Sequence, residues 1–127
     1  MKALADTSVF IAPEAGRALD VEALPEEMAV SVITVGELRA GVLAAADLAT
    51  RDRRLATLAG LLAFEACPID VAVADAWARL RVMLRDAGRR MPGNDSWIAA
   101  TALALGVPVV TQDDDYDAAS GLEVIKV

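Results

Sequence analysis

Histidine is absent from the 127 residues. That removes imidazole as a general base near neutral pH, and with it the Ser-His-Asp and Cys-His nucleophile arrangements and every imidazole-ligated metal. Cysteine occurs once, at Cys67, so neither an internal disulfide nor a cysteine-built zinc site is possible, and the usage fits a reducing cytosol. Hydrophobic residues make up 56% of the chain, but much of this is alanine. Thr, Gly or Pro interrupts the longest apolar stretches well short of the roughly 20 residues needed to cross a bilayer. Asp6 breaks the first apolar run too early for an export signal, so we read no membrane association and expect a cytoplasmic location. Any catalysis must therefore run on carboxylates, hydroxyls, Lys or Arg.

What is present points to an α/β fold. A chain of this length reads as a single domain over residues 1–127, able to bury roughly two thirds of its unfolded surface. Short apolar runs at Lys2–Ala5, Met28–Val32, Cys67–Ile69, Val107–Thr111 and Glu123–Val127 read as strands. Between them, helical periodicity covers Thr34–Ala46, Asp47–Glu65, Asp70–Ala87 and the stretch from Asn94 to Leu105. Asn94 stands as the N-cap of that last helix, Ile98, Thr101, Ala102 and Leu105 form its packing face, and Gly106 stops it. Alternation of this kind predicts a three-layer α/β/α sandwich around a short parallel sheet.

In such a sheet, strand carboxyl ends and the amino ends of the following helices share one rim, where ligands bind. Asp6, Asp113 and Asp115 follow strands, while Glu37 and Asp95 lie near helix starts. Taken singly, each reads as an ordinary solvated or capping acid. Taken together they should converge, and because gathered carboxylates repel one another, such a set is built for a hard cation, Mg²⁺ or Mn²⁺. The formal net charge of -7 is unusual for a nucleic-acid binder. A filled acidic site resolves the difficulty, with Arg79, Arg81, Arg85, Arg89 and Arg90, five of the twelve cationic residues, placed just before Asn94. Trp97 reads as core or as a contact between copies before it reads as a stacking platform for bases.

The segments DTSVF at Asp6–Phe10, SVITVGELRAG at Ser31–Gly41 and NDSWIAATALALGVPVVTQDDDY at Asn94–Tyr116 resemble, in order and spacing, the PIN-domain family, and within it the VapC-type toxins of bacterial toxin–antitoxin pairs. The resemblance spans nearly the whole chain. It implies a Mg²⁺-dependent endoribonuclease, usually dimeric, held in check by a small antitoxin. Matched position by position, the family's four acids fall on Asp6, Glu37, Asp95 and Asp113, with Asp6, Asp95 and Asp113 as metal ligands. Asp115 is an auxiliary acid, and Ser8 and Thr111 match hydroxyl positions near the metal. Two departures stand out: Gln112 where a basic residue is common, and Tyr116 where phenylalanine is usual. Neither is read as touching an acid.

The chemistry these residues support is cleavage of RNA by water activated on a carboxylate-held cation, with Arg89 and Arg90 on the substrate. The alternative is a PIN-fold module that binds without cutting. A phosphoreceiver reading fails because Thr7 follows Asp6 where a second acid is needed, and a haloacid-dehalogenase-type phosphatase fails because Ser8 stands where its second aspartate belongs. The helices over Thr34–Glu65 carry more apolar residues than one thin layer needs, so we expect a partner surface there, and the resemblance implies that the antitoxin docks on it. Repulsion within the acid cluster also leads to an expectation about charge: without metal, Asp6→Asn and Asp113→Asn should both melt no lower than the parent.

Overall fold

Leu4 and its neighbours show why the sheet is covered on both sides. In the computed structural model, which describes residues 2–127, strand β1 (Lys2–Ala5) points Leu4 into one apolar cluster and Ala3 and Ala5 towards the other face. The same alternation runs through β2 (Glu27–Ser31), β3 (Ala66–Cys67), β4 (Val109–Thr111) and β5 (Val124–Lys126). Ala29, Cys67 and Val109 share the face of Leu4, and Val30 and Val110 share that of Ala3 and Ala5. Strands buried on both faces belong to parallel sheets with helices above and below. The five strands pair in parallel, in the order β3-β2-β1-β4-β5.

Helices α1 (Thr7–Ile11), α2 (Val32–Leu43) and α3 (Leu48–Leu61) cover one face through Val9, Leu38, Val42, Leu58 and Leu61. Helices α4 (Val71–Asp86) and α5 (Gly93–Leu105) cover the other through Leu80, Leu84, Ile98, Ala99 and Ala102. This is the expected three-layer α/β/α arrangement. Among the described residues no helix is long and apolar enough to cross a membrane.

Local chemistry moves several boundaries. Asp6 caps α1, accepting from Ser8 N, so the apolar residues Val9, Phe10 and Ile11 that follow it lie in one and a half turns of helix. Ser31 caps α2 by accepting from Ile33 N at 3.0 Å, which starts that helix two residues earlier than periodicity alone suggests. Asn94 is not the cap of α5. Pro92, with φ -53 and ψ 145 and no side-chain acceptor, occupies that position, and its carbonyl accepts from Ser96 N. Proline's fixed φ and missing N–H suit the entry to a helix, and they set the start ahead of the polar residue. Leu105 is 49% exposed, because the helix is buried through Ser96 to Ala102 and its last turn emerges from the layer. Leu48 and Leu62 of the α3 segment are also largely exposed, and only Leu58 and Leu61 reach the core there.

The join between α5 and β4 depends on Gly106. Its φ of +67 lets Val107 N reach Ala102 O and Gly106 N reach Leu103 O, closing the helix while the chain turns into the sheet. Pro108 then delays the strand to Val109, although its carbonyl still accepts from Leu4 N at 2.9 Å. A Cβ at position 106 would meet nothing within 4 Å, so only the left-handed backbone opposes a side chain. Gly106→Ala should therefore cost about 1 kcal/mol, seen as a lower urea midpoint at unchanged slope. An unchanged midpoint would mean that the left-handed turn is not held in solution.

Candidate active site

The strand order places a topological switch point between β1 and β4, since from β1 the chain builds first towards β2 and β3 and later towards β4 and β5. Residues leaving β1 and β4 therefore meet. Ala5 is paired with Val110, and Asp6 N donates to Val110 O at 2.8 Å, which sets Asp6 beside Thr111. Asp6 is 1% exposed, and a carboxylate so placed needs donors. Thr111 Oγ1 donates to its Oδ2 at 2.9 Å, Ser8 N to the same oxygen at 3.3 Å, and the Tyr116 hydroxyl to Oδ1 at 2.7 Å. Ser8 Oγ, which accepts from Gln112 N at 3.0 Å, lies 3.2 Å from Thr111 Oγ1, and Thr111 Oγ1 also accepts from Asp113 N at 2.9 Å. With its own proton committed to Asp6, Thr111 receives the proton of Ser8. Ser8 and Thr111 thus orient Asp6 and the backbone that carries Asp113.

Beside Asp6, carboxylate oxygens of Asp95, Asp113 and Asp115 lie within 4.8 Å of one another. Asp95 enters from the first turn of α5, and Asp113 and Asp115 from the loop and 3₁₀ turn after β4. Asp114, between them, turns outward to Lys126. Burial pushes the Asp95 carboxyl up to about 7, aided by the charge of Asp6, a hydrogen bond and charge from Asp115, and the charge of Glu37. Burial also raises Asp113, again with Asp6 and Asp115. The donor set is all oxygen, it crowds like charges, and no histidine is available, so the site suits a hard divalent cation.

Glu37 meets this group from the second turn of α2. Thr7 Oγ1 lies 2.8 Å from Glu37 Oε1 and 2.9 Å from Thr34 Oγ1. Thr7 is the donor in both contacts, so its one proton is shared between the carboxylate and Thr34. Of the sequence-predicted acids, Asp95 and Asp113 stand in the close trio with Asp115, while Asp6 and Glu37 lie outside it, near enough for their charges to act on Asp95.

Three residues escaped the sequence reading. Thr7 holds Glu37 from across the fold and bonds Thr34 as well, and only the position of Thr7 next to Asp6 hints at a role. Tyr116 was read as touching no acid. Its ring is fully buried under the site and its hydroxyl meets Asp6, because the 3₁₀ turn Asp115–Ala118 folds it inward. The other departure, Gln112, donates from Nε2 to the carbonyls of Ala18 and Val127, away from the acids.

The arginines divide. Arg81, Arg85, Arg89 and Arg90 line a cleft of about 310 Å³ with Ser96, whose neighbour in the chain is Asp95. Arg79 pairs instead with Asp75 at 3.0 Å and does not line it. Trp97 stacks on Trp77, ring centroids 4.4 Å apart, and Trp77 Nε1 donates to Ser96 Oγ, so the pair joins α4 to α5.

A family model described as the PIN domain matches residues 3–122. The chain is 50% identical over 125 residues to ribonuclease VapC5 of Mycobacterium tuberculosis, covering 96% of this chain and 93% of that one. It is 51% identical over 126 residues to ribonuclease VapC4 of the same organism, covering 99% and 97%. A crystal structure of VapBC-5 from M. tuberculosis, a member of the VapBC family of toxin–antitoxin systems, superposes with a TM-score of 0.92 at 46% identity, covering 99% of this chain and 98% of that one.

The hydrogen bonds separate two acids that charge alone made equivalent. In metal-free protein the raised Asp95 carboxyl contributes stability that is fully present below the ordinary carboxyl range, near pH 4, and is lost as pH rises through about 7. Asp95→Asn should therefore gain on the parent in thermal melts as pH goes from 4 to 8 in EDTA, and Asp113→Asn should follow the same trend more weakly. Asp6→Asn should melt lower at every pH, by about 1–3 kcal/mol, because an amide nitrogen would face a hydroxyl or N–H donor. Parallel curves for parent and Asp95→Asn would refute the coupling.

Proposed function

The chain belongs to the PIN-domain family, and from that premise we propose that it is a metal-dependent endoribonuclease acting as the toxin of a toxin–antitoxin pair. The observation that carries the metal is the close trio of Asp95, Asp113 and Asp115 against the buried Asp6. Asp6, Asp95 and Asp113 would hold Mg²⁺ or Mn²⁺, with Asp115 alongside. Bound there, the cation would supply water of lowered pKa and polarise a phosphoryl oxygen. Glu37, whose Oε1 is engaged by Thr7, takes up a proton at Oε2. Thr111 and Ser8 keep Asp6 in one orientation while charge is redistributed beside it.

Substrate RNA enters along the arginine cleft. Arg89 and Arg90 bind backbone phosphates there, while Arg89 Nη1 also touches the Ala118 carbonyl at 3.4 Å, at the end of the turn that carries Asp115. This arrangement lets a protein of net charge -7 attract a polyanion locally.

The antitoxin docks on α2 and α3. Leu43, Leu48 and Leu62 are 68%, 75% and 60% exposed around the connection and ends of these helices. A cleft of about 290 Å³ lined by Ile11, Leu38, Gly41 and Arg54 runs from this surface to Thr7 and Glu37. A partner segment ending in arginine would reach the acids by that route. Two copies of the toxin form a dimer, in keeping with the exposed Val71 and Val82 of α4. The chain acts in the cytoplasm.

Purified protein should cleave RNA with Mg²⁺ or Mn²⁺ and not in excess EDTA, and Asp113→Asn should lose cleavage while remaining folded. Metal binding without cleavage of any cellular RNA would favour the silent binding module. Arg89→Ala and Arg90→Ala should each weaken RNA binding by the inactive Asp113→Asn protein and reduce its salt dependence by about one unit of slope. Hydrogen exchange in the co-expressed complex should show protection over Leu43–Leu62, and protection confined to other regions would remove the docking assignment.

A further inference from the structure

We propose that Tyr116 is a positioning residue that sets the cation preference of the acidic site, by restricting Asp6 to a single free lone pair on Oδ1. The inference rests on the metal-site reading above. A carboxylate offers about four lone-pair positions in its plane. Three are taken in Asp6: Thr111 Oγ1 and Ser8 N fill those of Oδ2, and the Tyr116 hydroxyl fills one of Oδ1. The remaining position belongs to Oδ1, so Asp6 offers one oxygen in one direction and cannot close on an ion with both.

The restraint is stiff. Asp6 is 1% exposed and Tyr116 is fully buried, its ring packed in the cluster that includes Leu4, Ile98, Val109 and Ala119. Swinging Asp6 would break the 2.7 Å bond, since the packed phenol cannot follow. Tyr116 also stands next to Asp115 in the same 3₁₀ turn, so one hydroxyl couples the orientation of Asp6 to the segment that brings Asp115 into the trio.

A fixed donor of this kind favours a small ion. Mg²⁺ demands near-ideal octahedral geometry at short range, whereas Ca²⁺ accepts longer, irregular and two-oxygen carboxylate contacts. The two donors on Oδ2 deny the two-oxygen contact, and the phenol hydroxyl on Oδ1 fixes the direction of the one position that remains, which meets the first demand. With the phenol hydroxyl removed, the carboxylate is held at Oδ2 alone and Oδ1 is free to pivot. Orientation of a ligand by outer-shell partners accounts for differences of about tenfold or more in metal affinity.

The experiment is calorimetric titration of the metal-free full chain with magnesium chloride and, separately, calcium chloride. It compares the parent, Tyr116→Phe, and Gly106→Ala as a destabilised control remote from the acids. Tyr116→Phe should bind Mg²⁺ about tenfold more weakly while Ca²⁺ binding is unchanged or tighter, and the control should keep the parent's ratio of affinities. Equal changes for both ions, or none, would overturn the proposal while leaving the metal site intact. A parent that binds neither ion would overturn the metal-site reading itself. Should Tyr116→Phe not fold, Thr111→Val leaves Oδ2 held by Ser8 N alone and must shift the ratio in the same direction, and an unshifted ratio there is equally fatal.

Discussion

A carboxylate almost entirely out of water must receive hydrogen bonds from its own protein, and the three given to Asp6 organise the site around it. One comes from the first helix, whose amino end Asp6 caps. One comes from the strand beside it, through a register that pairs Ala5 with Val110 and leaves Thr111 adjacent. One comes from a tyrosine folded back beneath the loop after that strand. Fold and site are thus fastened at the same atom pair, and shifting β4 by one residue would turn Thr111 to the opposite face and leave Oδ2 of Asp6 short of a donor.

Around that centre the electrostatics are deliberately unfavourable. Burial and neighbouring negative charge both raise Asp95, and the nearest cations relieve little: Arg17 and Lys126 bear weakly on Asp113, and Lys126 is itself engaged by Asp114 and Asp117. Neutral hydroxyls hold the acids in place without cancelling their charge. A lysine among them would have made a more stable apo protein and a poorer site for a divalent ion. Arg81, Arg85, Arg89 and Arg90 line a cleft of their own with Ser96.

Much of this was legible along the chain because it follows from period and punctuation. A parallel sheet buried on both faces writes itself as short unbroken apolar runs, and the acids at the exits of Lys2–Ala5 and Val109–Thr111 had to reach one rim once the strands were parallel. Asp113 and Asp115 were singled out along the chain, and the structure brings those two together while Asp114 between them turns out to Lys126. What stayed hidden depends on contacts between distant residues. Glu37 is held by Thr7 across thirty positions of sequence, and Tyr116 looks like a loop residue until the 3₁₀ turn buries it. Pro92 displaced Asn94 as the start of α5 because the fixed proline backbone outweighed a good capping side chain two residues later. The leucines of α3 are periodic in sequence, but periodicity cannot say which of two apolar faces the sheet will take, and Leu58 and Leu61 are buried while Leu48 and Leu62 stay outside.

The stacked indoles between α4 and α5 bear on how the molecule can be watched. The chain has two tryptophans, and they lie face to face with rings tilted by only 3°. All indole absorption and emission therefore arises at one place, next in sequence to Ser96 and two residues from Asp95, with the Arg81 guanidinium 5.2 Å above one ring. Transitions on parallel rings at that spacing couple, so the indole part of the near-ultraviolet dichroism is a local signal. It reports the junction of the acidic rim and the arginine cleft, and is nearly blind to the exposed leucines on the opposite layer.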